Sequence, residues 1–304
     1  MSMRRKLTTG LWAILGAAVL AGALISFNPG VMLLIYPGLE VHSPYCSRWQ
    51  AVKDFGTRQR QERAEKSIRA SLQLIRRDGP LEHWNTNKGS WWIPAKSEAT
   101  LAVLLAQQER QIYGGVVSGE TIIDCGAHVG SYVRYALQGG AGRVVAVEPS
   151  EDSAECLRRN FEQEIAAGKV ILVKKGIWDQ EQELTFYVNG NGDAANSFVV
   201  HGGGSRAVTM PVTTIDRLVE ELKLERVGLI KADVKGATQR LLAGAVRTIG
   251  RDHPRLAFST EEAPEDPGAI TSLVSRLAPA YRMTCGPCLA SEDHQIRTDV
   301  MFYQ

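Results

Sequence analysis

Thr121-Ile-Ile-Asp-Cys-Gly-Ala-His-Val-Gly-Ser131, closely followed by Val144-Val-Ala-Val-Glu-Pro149, is the stretch of sequence that decides the fold. Each segment opens with a short apolar run typical of a buried strand, and a glycine turn and a helix separate the two runs. Asp124 and Glu148 stand at the ends of these strands. Because ligands bind outside the carboxyl ends of the strands in an open parallel sheet, the pattern predicts a ligand site near both carboxylates.

The glycine turn limits the kind of ligand. It reads Asp-x-Gly-x-x-x-Gly, and Gly126 and Gly130 would let the backbone approach a ligand that a Cβ atom would block. Glu148 follows by about 20 residues, the spacing at which a carboxylate accepts both ribose hydroxyls. The turn lacks the Gly-x-Gly-x-x-Gly cradle for a pyrophosphate, which argues against a nicotinamide-dependent oxidoreductase. A nucleoside without phosphates fits better, and S-adenosylmethionine (SAM) is the first candidate.

Four motifs, taken in order, resemble the FkbM family of SAM-dependent methyltransferases. They are Asp124-Cys-Gly-Ala-His-Val-Gly130, Glu148-Pro149, Leu229-Ile-Lys-Ala-Asp-Val234 and Gly236-Ala237. The resemblance extends from the region of Glu109 to the C-terminus. It implies an α/β fold with a Rossmann-like, seven-stranded, mostly parallel sheet flanked by helices. It also implies SAM as the cofactor and methyl transfer as the activity.

The resemblance assigns roles to individual residues around the predicted site. The residues implied to bind SAM are Asp124, Gly126, Ala127, His128, Gly130, Glu148, Trp178 and Asp179. The aspartate and glycines of the turn would contact the methionine part of SAM, and Glu148 would bind the ribose. Trp178 and Asp179, just after the third strand, would meet the adenine. A structural role is the alternative for His128 and for Trp178.

The fourth motif departs from the family pattern. The family has Lys-x-Asp-x-Glu-Gly-x-Glu, whereas this chain has Lys231-Ala-Asp-Val-Lys-Gly-Ala-Thr238. Asp233 is the candidate general base or acceptor contact, and Lys231 is the second candidate catalytic residue. Lys235 and Thr238 replace two glutamates, so we expect a different acceptor, for which a lysine would favour an anion, or a loss of activity. The alternative function is therefore a catalytically degenerate scaffold or binding module at the membrane.

The acceptor and the partners are less well defined by the sequence. The resemblance alone implies a hydroxyl on a sugar, a lipid-linked glycan or a secondary metabolite, and an oxygen acceptor needs a general base nearby. A hydrophobic content of 44% supports a real core. The net charge of +2, without a dominant basic stripe, gives no support for a nucleic-acid partner.

The cysteine pattern predicts neither disulfides nor a metal site. The chain has five cysteines, an odd number that favours a reducing compartment over a disulfide framework. Cys285-Gly-Pro-Cys288 spells a thioredoxin-type motif, but it falls in a predicted hairpin, where Gly-Pro is a natural turn pair. A structural zinc ion would need a second pair of ligands, which the sequence does not supply.

The N-terminus carries the signals of a membrane segment. Arg4, Arg5 and Lys6 precede an uncharged apolar run over residues 11–27, and a second apolar run follows Asn28-Pro29-Gly30. A helix over the first run reaches roughly 25 Å, a little less than the ~30 Å hydrocarbon core. The alternatives are a single anchor, a cleaved signal peptide with Ala21-Gly-Ala23 at its cleavage site, and a re-entrant segment.

The orientation of this segment bears on the supply of cofactor. Positive charges before the span favour a cytoplasmic N-terminus, and a single span would then carry the enzyme out of the cytoplasm. Because SAM is a cytoplasmic cofactor, this conflicts with the methyltransferase prediction, whereas a re-entrant segment or an inverted span does not. The topology stays open. We expect membrane association with the catalytic domain in the cytoplasm.

Three regions are predicted along the chain from its alternation of strands and helices. Residues 1–36 form the membrane helix or re-entrant segment, residues 37–96 a helical connector with a short strand pair, and residues 97–304 the methyltransferase domain. The local predictions with most structural content are helix over Ala51–Arg77, a strand pair Leu81–Trp84 and Ser90–Ile93, a β-hairpin insert Glu183–Val188 and Ala207–Val212, and a final antiparallel pair Tyr281–Cys285 and Asp299–Tyr303.

Overall fold

The computed structural model describes residues 45–188, 196–199, 205–260, 267–290 and 295–304, together with Glu40–Val41 and positions 16, 17, 20, 22 and 31. The chain divides into two compact units. The larger comprises residues 60–286 and 299–304, and the smaller comprises residues 1–59 and 287–298. Each compact unit joins distant parts of the sequence, so neither unit tests the predicted boundaries. The predicted regions 1–36, 37–96 and 97–304 stay predictions.

Strands and helices alternate through much of the chain. The strands are β1 (Glu40–Val41), β2 (Gln73–Asp78), β3 (Leu81–Thr86), β4 (Gly89–Pro94), β5 (Thr121–Cys125), β6 (Arg143–Val147), β7 (Val170–Val173), β8 (Gly176–Ile177), β9 (Gln182–Val188), β10 (Arg206–Thr213), β11 (Leu229–Ala232), β12 (Arg255–Ser259), β13 (Met283–Cys285), β14 (Cys288–Ala290), β15 (Gln295–Thr298) and β16 (Val300–Tyr303). The helices are α1 (Arg48–Ser71), α2 (Glu98–Glu109), α3 (Ser131–Gln138), α4 (Glu151–Asn160), α5 (Glu162–Ala166), α6 (Ile215–Glu221), α7 (Thr238–Ala243), α8 (Val246–Asp252) and α9 (Pro267–Leu277).

The larger unit is built around a seven-stranded, mostly parallel sheet, as predicted. Its order is β13-β16-β12-β11-β5-β6-β7. Strand β16 runs antiparallel to both β12 and β13, which confirms the predicted final pair, and the other neighbours are parallel. The central strands β5 and β6 are buried beyond their first residues. Burial on both faces explains why their sequences are continuous apolar runs rather than alternating ones.

Two small sheets accompany the main sheet in the larger unit. The predicted hairpin insert is confirmed, since β9 and β10 pair antiparallel, and β8 joins them alongside β10. The predicted strand pair is also confirmed, because β3 pairs with β4. Trp91 and Ile93 of β4 are buried in the same apolar core as helices α2, α3 and α4.

The predicted helix over Ala51–Arg77 was wrong at its end. Helix α1 stops at Ser71, and Gln73–Asp78 forms the edge strand β2, which pairs with β3. Every residue of β2 is exposed, so no alternating burial marks it as a strand. Leu72 and Ile75 continue the apolar spacing of the helix, and backbone pairing with β3 overrides that local signal.

The smaller unit contains a disulfide that the sequence did not predict. Strand β15 pairs with β1 and with β14, and Cys46, Ala51, Cys288 and Ile296 form the buried apolar cluster beside them. Cys46 and Cys288 are bonded, with their Cα atoms 5.6 Å apart and a sequence separation of 242. Such a separation leaves no local spacing signal. The odd number of cysteines also argued against disulfides, so this pair was not predicted. Cys125, Cys156 and Cys285 take no part in a disulfide.

Most of the predicted membrane segment lies outside the described residues. Of positions 1–36, only residues 16, 17, 20, 22 and 31 are described. Among the residues that the structure does describe, no helix is both long enough and apolar enough to cross a membrane. The predicted N-terminal membrane helix therefore stays a prediction.

Candidate active site

A cavity lies at the carboxyl ends of the central strands, as the motif pattern predicts. It encloses about 870 Å³, including open solvent at its mouth. The charged and titratable residues that line it are Tyr113, His128, Tyr132, Glu148, Lys175, Lys231, Asp233 and Lys235. The cavity therefore gathers side chains that follow three adjacent parallel strands, β6, β5 and β11, into one space of the size that binds small molecules.

The turn after β5 owes its glycines to packing within the protein. Gly126 and Gly130 have φ angles of +77° and +91°, which residues with a Cβ rarely adopt. A Cβ at Gly126 would lie 2.2 Å from the carbonyl oxygen of Asp233, and one at Gly130 would lie 2.2 Å from the Phe161 ring. The structure shows close approach to the residues just after β11 and α4, and close approach to a ligand stays a prediction. Ala127 lines the cavity beside Gly126.

The Glu148 carboxylate accepts hydrogen bonds from the turn after β5 and from the turn after β6. Its Oε2 accepts the His128 N–H at 2.8 Å, and its Oε1 accepts the Ser150 N–H at 2.8 Å. Burial raises the pKa of this carboxyl to about 7, although both backbone hydrogen bonds oppose the rise. Each oxygen keeps a second lone pair for another donor. Glu148 is therefore the carboxylate at the strand end that the sequence predicted, and it still has capacity to bind a ligand.

Lys231 supports the turn from within the protein. Its Nζ lies 2.9 Å from Asp124 Oδ1 and donates to the Gly126 carbonyl at 3.1 Å. The Tyr113 ring centroid is 4.8 Å from the same ammonium group. Asp124 is completely buried, and burial raises its pKa against the opposing charge of Lys231. Unlike Lys231, Asp124 does not line the cavity. This pair therefore fixes the shape of the turn.

Asp233 is already engaged on both oxygens. Tyr113 donates to Oδ2 at 3.0 Å, and Lys235 Nζ lies 3.1 Å from Oδ1. Burial by itself would raise the pKa of Asp233, but Lys235, Lys231 and the tyrosine hydroxyl outweigh it and lower the pKa to about 2. Asp233 is thus ionised at neutral pH, and both of its oxygens are already held by protein groups.

His128 presents a free imidazole to the cavity. Both ring nitrogens are buried, and neither has a hydrogen-bond partner among the described residues. Its φ angle of +50° is uncommon for a residue with a side chain, and such strain is concentrated at functional sites. Burial lowers its pKa to about 4; Asp233 opposes this shift, and Lys231 and Lys235 reinforce it. The ring is therefore neutral at pH 7, with one nitrogen able to accept a proton.

Trp178 and Asp179 do not line the cavity. Asp179 accepts from Arg240 at 2.6 Å, and the same guanidinium lies 5.5 Å from the Trp178 ring centroid. Their immediate neighbours Gly176 and Ile177 line it instead. The two residues that line this wall thus directly precede the two that the motif after the third strand predicted.

Other lining residues carried no sequence signal. They are Leu104, Gln107, Gln108, Tyr113, Ser131, Tyr132, Phe186, Ser197 and Phe198. They belong to α2, to the segment after it, to α3 and to the β9–β10 region, which only the folded chain brings to the strand ends. Only the position of Ser131, directly after Gly130, connected any of them with the predicted turn.

Comparisons with known proteins agree with this architecture. The family described as “Methyltransferase FkbM domain” matches residues 124–281, more than half of the 304-residue chain. The chain therefore belongs to the FkbM family of methyltransferases, whose cofactor is SAM. No curated protein matches the chain in sequence.

Several solved structures resemble the chain at low sequence identity. The FkbM methyltransferase from Methylobacillus flagellatus KT is 16% identical, with a TM-score of 0.46, and the alignment covers 83% of this chain and 60% of that one. This chain thus spans 60% of the length of that relative. An O-methyltransferase from Bacillus cereus in complex with S-adenosylhomocysteine (SAH) is 16% identical, with coverages of 60% and 73% and a TM-score of 0.37. An rRNA methylase from Streptococcus thermophilus is 10% identical, with coverages of 62% and 88% and a TM-score of 0.37.

Proposed function

We propose that the chain transfers the methyl group of SAM to a hydroxyl oxygen of a sugar, a lipid-linked glycan or another small-molecule acceptor. The observation that carries the proposal is the free imidazole of His128, which lines the same cavity as Glu148 and Asp233. Bound SAM supplies a methyl group on a positively charged sulfur. The chain supplies the cavity that positions the reactants, and positioning contributes much of the rate of such a displacement.

The lining of the cavity fits a nucleoside that carries an amino-acid tail. We assign the ribose to Glu148, whose two oxygens each have one lone pair left. Gly126, Ala127 and His128 are proposed for the methionine part, with Asp124 and Gly130 acting through the shape of the turn. The adenine contact of Trp178 and Asp179 stays a prediction, and the apolar wall beside them contains Ile177 and Phe198.

The proton released from an acceptor hydroxyl needs a base within reach. We assign this role to His128, because its ring is neutral, unpartnered and part of the cavity lining. Asp233, the base favoured by the sequence, is proposed instead to orient the acceptor hydroxyl, since Lys235 and Tyr113 already hold both of its oxygens. Lys231 is proposed as a positioning residue, because its ammonium group is taken up by Asp124 and the Gly126 carbonyl.

One observation favours the alternative, a degenerate scaffold. Lys235 stands where the family has a glutamate, and its ion pair with Asp233 occupies the carboxylate that would otherwise meet the acceptor. A protein of this kind would keep the cofactor cavity without turnover. Binding and turnover therefore have to be measured separately.

The test uses the full-length chain. Calorimetric titration measures the binding of SAM and of SAH, and release of SAH is then followed with a panel of hydroxylated sugars and lipids. We expect binding of both ligands, methyl transfer to a hydroxyl compound, and a large loss of transfer in His128→Gln with SAM affinity kept within a fewfold. Binding without transfer to any acceptor supports the scaffold. A folded chain that binds neither SAM nor SAH contradicts both functions.

Membrane association and the side of the membrane belong to the same proposal. The apolar N-terminal run supports association, and the need for SAM supports a cytoplasmic catalytic domain. The Cys46–Cys288 disulfide argues against that location, because disulfides are rare in the cytosol. Cys285 forms no disulfide and is partly exposed, so a membrane-impermeant thiol reagent applied to intact cells tests the side. Labelling of Cys285 without lysis would refute a cytoplasmic domain.

A further inference from the structure

A second cavity in the larger unit adjoins the proposed active site. It lies between helices α2 and α3 and the turn of the β3–β4 hairpin, and it encloses about 730 Å³, including open solvent. Lys88, Trp91, Gln108, Ser131 and Arg134 are among its lining residues. Gln108 and Ser131 also line the cofactor cavity, so the two spaces meet at these side chains. We call this second space the side groove.

Arg134 is the main charge of the side groove. Its guanidinium lies over the Trp91 ring, 3.5 Å from the centroid, and donates only to the Ser90 carbonyl, at 3.3 and 3.4 Å. Arg134 forms no ion pair with the described residues; burial lowers its pKa, and the charge of Glu164 opposes that shift. A half-buried guanidinium without a carboxylate keeps a planar set of donors for a ligand, and such donors match carboxylate and phosphate.

Two further polar groups around the side groove lack partners. Trp91 Nε1 and Gln108 Oε1 are buried, and neither has a hydrogen-bond partner among the described residues. Buried polar groups are nearly always paired, so each such atom calls for an explanation. Lys88 and Glu109 also line the side groove and pair with each other at 2.5 Å, so the guanidinium of Arg134 is its remaining positive charge. The side groove thus combines positive charge with an unused donor and an unused acceptor, which suits a hydroxylated acid.

We propose that the side groove binds the acidic group, a carboxylate or a phosphate, of the methyl acceptor. The acceptor's hydroxyl then reaches the cofactor cavity past Gln108 and Ser131. This inference rests on the proposed methyl transfer and narrows its acceptor to anionic hydroxyl compounds. Arg134 would hold the acid through its planar donors.

The test compares matched sugars on the full-length chain saturated with SAH. Glucose 6-phosphate and glucuronate carry the two acidic groups, and glucose is their neutral counterpart. We expect at least one acid to bind at least tenfold more tightly than glucose, and which one binds better identifies the acid. Arg134→Gln should abolish the preference, whereas Arg143→Gln, at an exposed arginine of β6, should keep it.

Two readouts separate failure of this inference from failure of the proposed function. If SAH binds normally but neither acid binds better than glucose, or if Arg134→Gln keeps the preference, the side groove is not the acid site and methyl transfer stands. If the folded chain does not bind SAH, the proposed function fails instead. Should Arg134→Gln not fold, phenylglyoxal modification of Arg134 in the unaltered chain decides. Protection by an acid but not by glucose supports the inference, and no protection overturns it.

Discussion

The substitution Glu148→Gln tests two effects of a buried carboxylate, one on the stability of the fold and one on the binding of SAM. Glu148 is 6% exposed, and each oxygen accepts one backbone N–H. Its pKa is raised from 4.5 to about 7. An acid whose folded-state pKa is raised stabilises the fold only below its unfolded pKa, and this stability is lost as the pH rises through the folded-state value. The carboxylate therefore weakens the fold progressively between pH 4.5 and pH 7.

The magnitude follows from the size of the shift. A rise from 4.5 to about 7, at 1.36 kcal/mol per pKa unit, costs roughly 3 kcal/mol of unfolding free energy above pH 7. Glutamine stays neutral and escapes this cost, but its amide nitrogen cannot accept one of the two backbone N–H groups, a loss of about 1–2 kcal/mol. We expect Glu148→Gln to be about 1–2 kcal/mol more stable than the unaltered chain at pH 8 and less stable at pH 4.5.

The same change should weaken SAM binding. Loss of charge-assisted hydrogen bonds to the ribose costs about 1.5–3 kcal/mol, which is roughly ten- to a hundredfold in affinity. Affinity should rise between pH 6 and pH 8 in the unaltered chain, because the ionised carboxylate is the better acceptor, and this rise should be absent from the variant.

Urea unfolding at several pH values and calorimetric titration of SAM check both parts, with the exposed Glu151→Gln as the control. Equal SAM affinity in Glu148→Gln and the unaltered chain would remove Glu148 from the site. A variant that is less stable at pH 8 would show that burial does not raise this pKa.

Three other changes test the site and the disulfide. Gly126→Ala should lower the unfolding free energy, measured by urea unfolding, by about 2–4 kcal/mol, because its Cβ would lie 2.2 Å from the Asp233 carbonyl. The control Gly168→Ala, with a φ of +69° and open space around it, should lower the unfolding free energy by only about 1 kcal/mol. Lys235→Gln removes a cation from the cavity and should raise the ratio of SAM to SAH affinity severalfold, because SAM carries a positive charge on its sulfur. The exposed Lys174→Gln should leave the ratio unchanged. An unchanged ratio in Lys235→Gln would mean that Lys235 does not interact with the sulfonium charge. The denatured chain should titrate as three thiols before reduction and five after it, and five before reduction would exclude the Cys46–Cys288 bond.

The candidate site combines residues that the local sequence predicted with side-chain partners that it did not. The sequence placed Asp124, Glu148 and Asp233 at the carboxyl ends of strands, because continuous apolar runs and the turns that end them are local features. It did not show that Asp124 faces Lys231 inside the protein, or that Asp233 pairs with Lys235 and accepts a hydrogen bond from Tyr113. Those partners depend on the rotamers and the spacing of side chains across the sheet. The free ring of His128 likewise emerges only when every neighbour has been placed.

The sequence by itself determined the class of fold, the order of the strands' motifs and the kind of cofactor, because each is encoded in short stretches with their own periodicity and turn residues. Tertiary structure decided the rest. It changed the end of helix α1 into strand β2, paired Cys46 with Cys288 across 242 residues, and set Arg134 against Trp91 beside the cofactor cavity. The disulfide and the Arg134–Trp91 contact join residues far apart in the chain, which leave no pattern in the sequence around either partner, and the pairing of β2 with β3 overrides the helical spacing of its apolar residues.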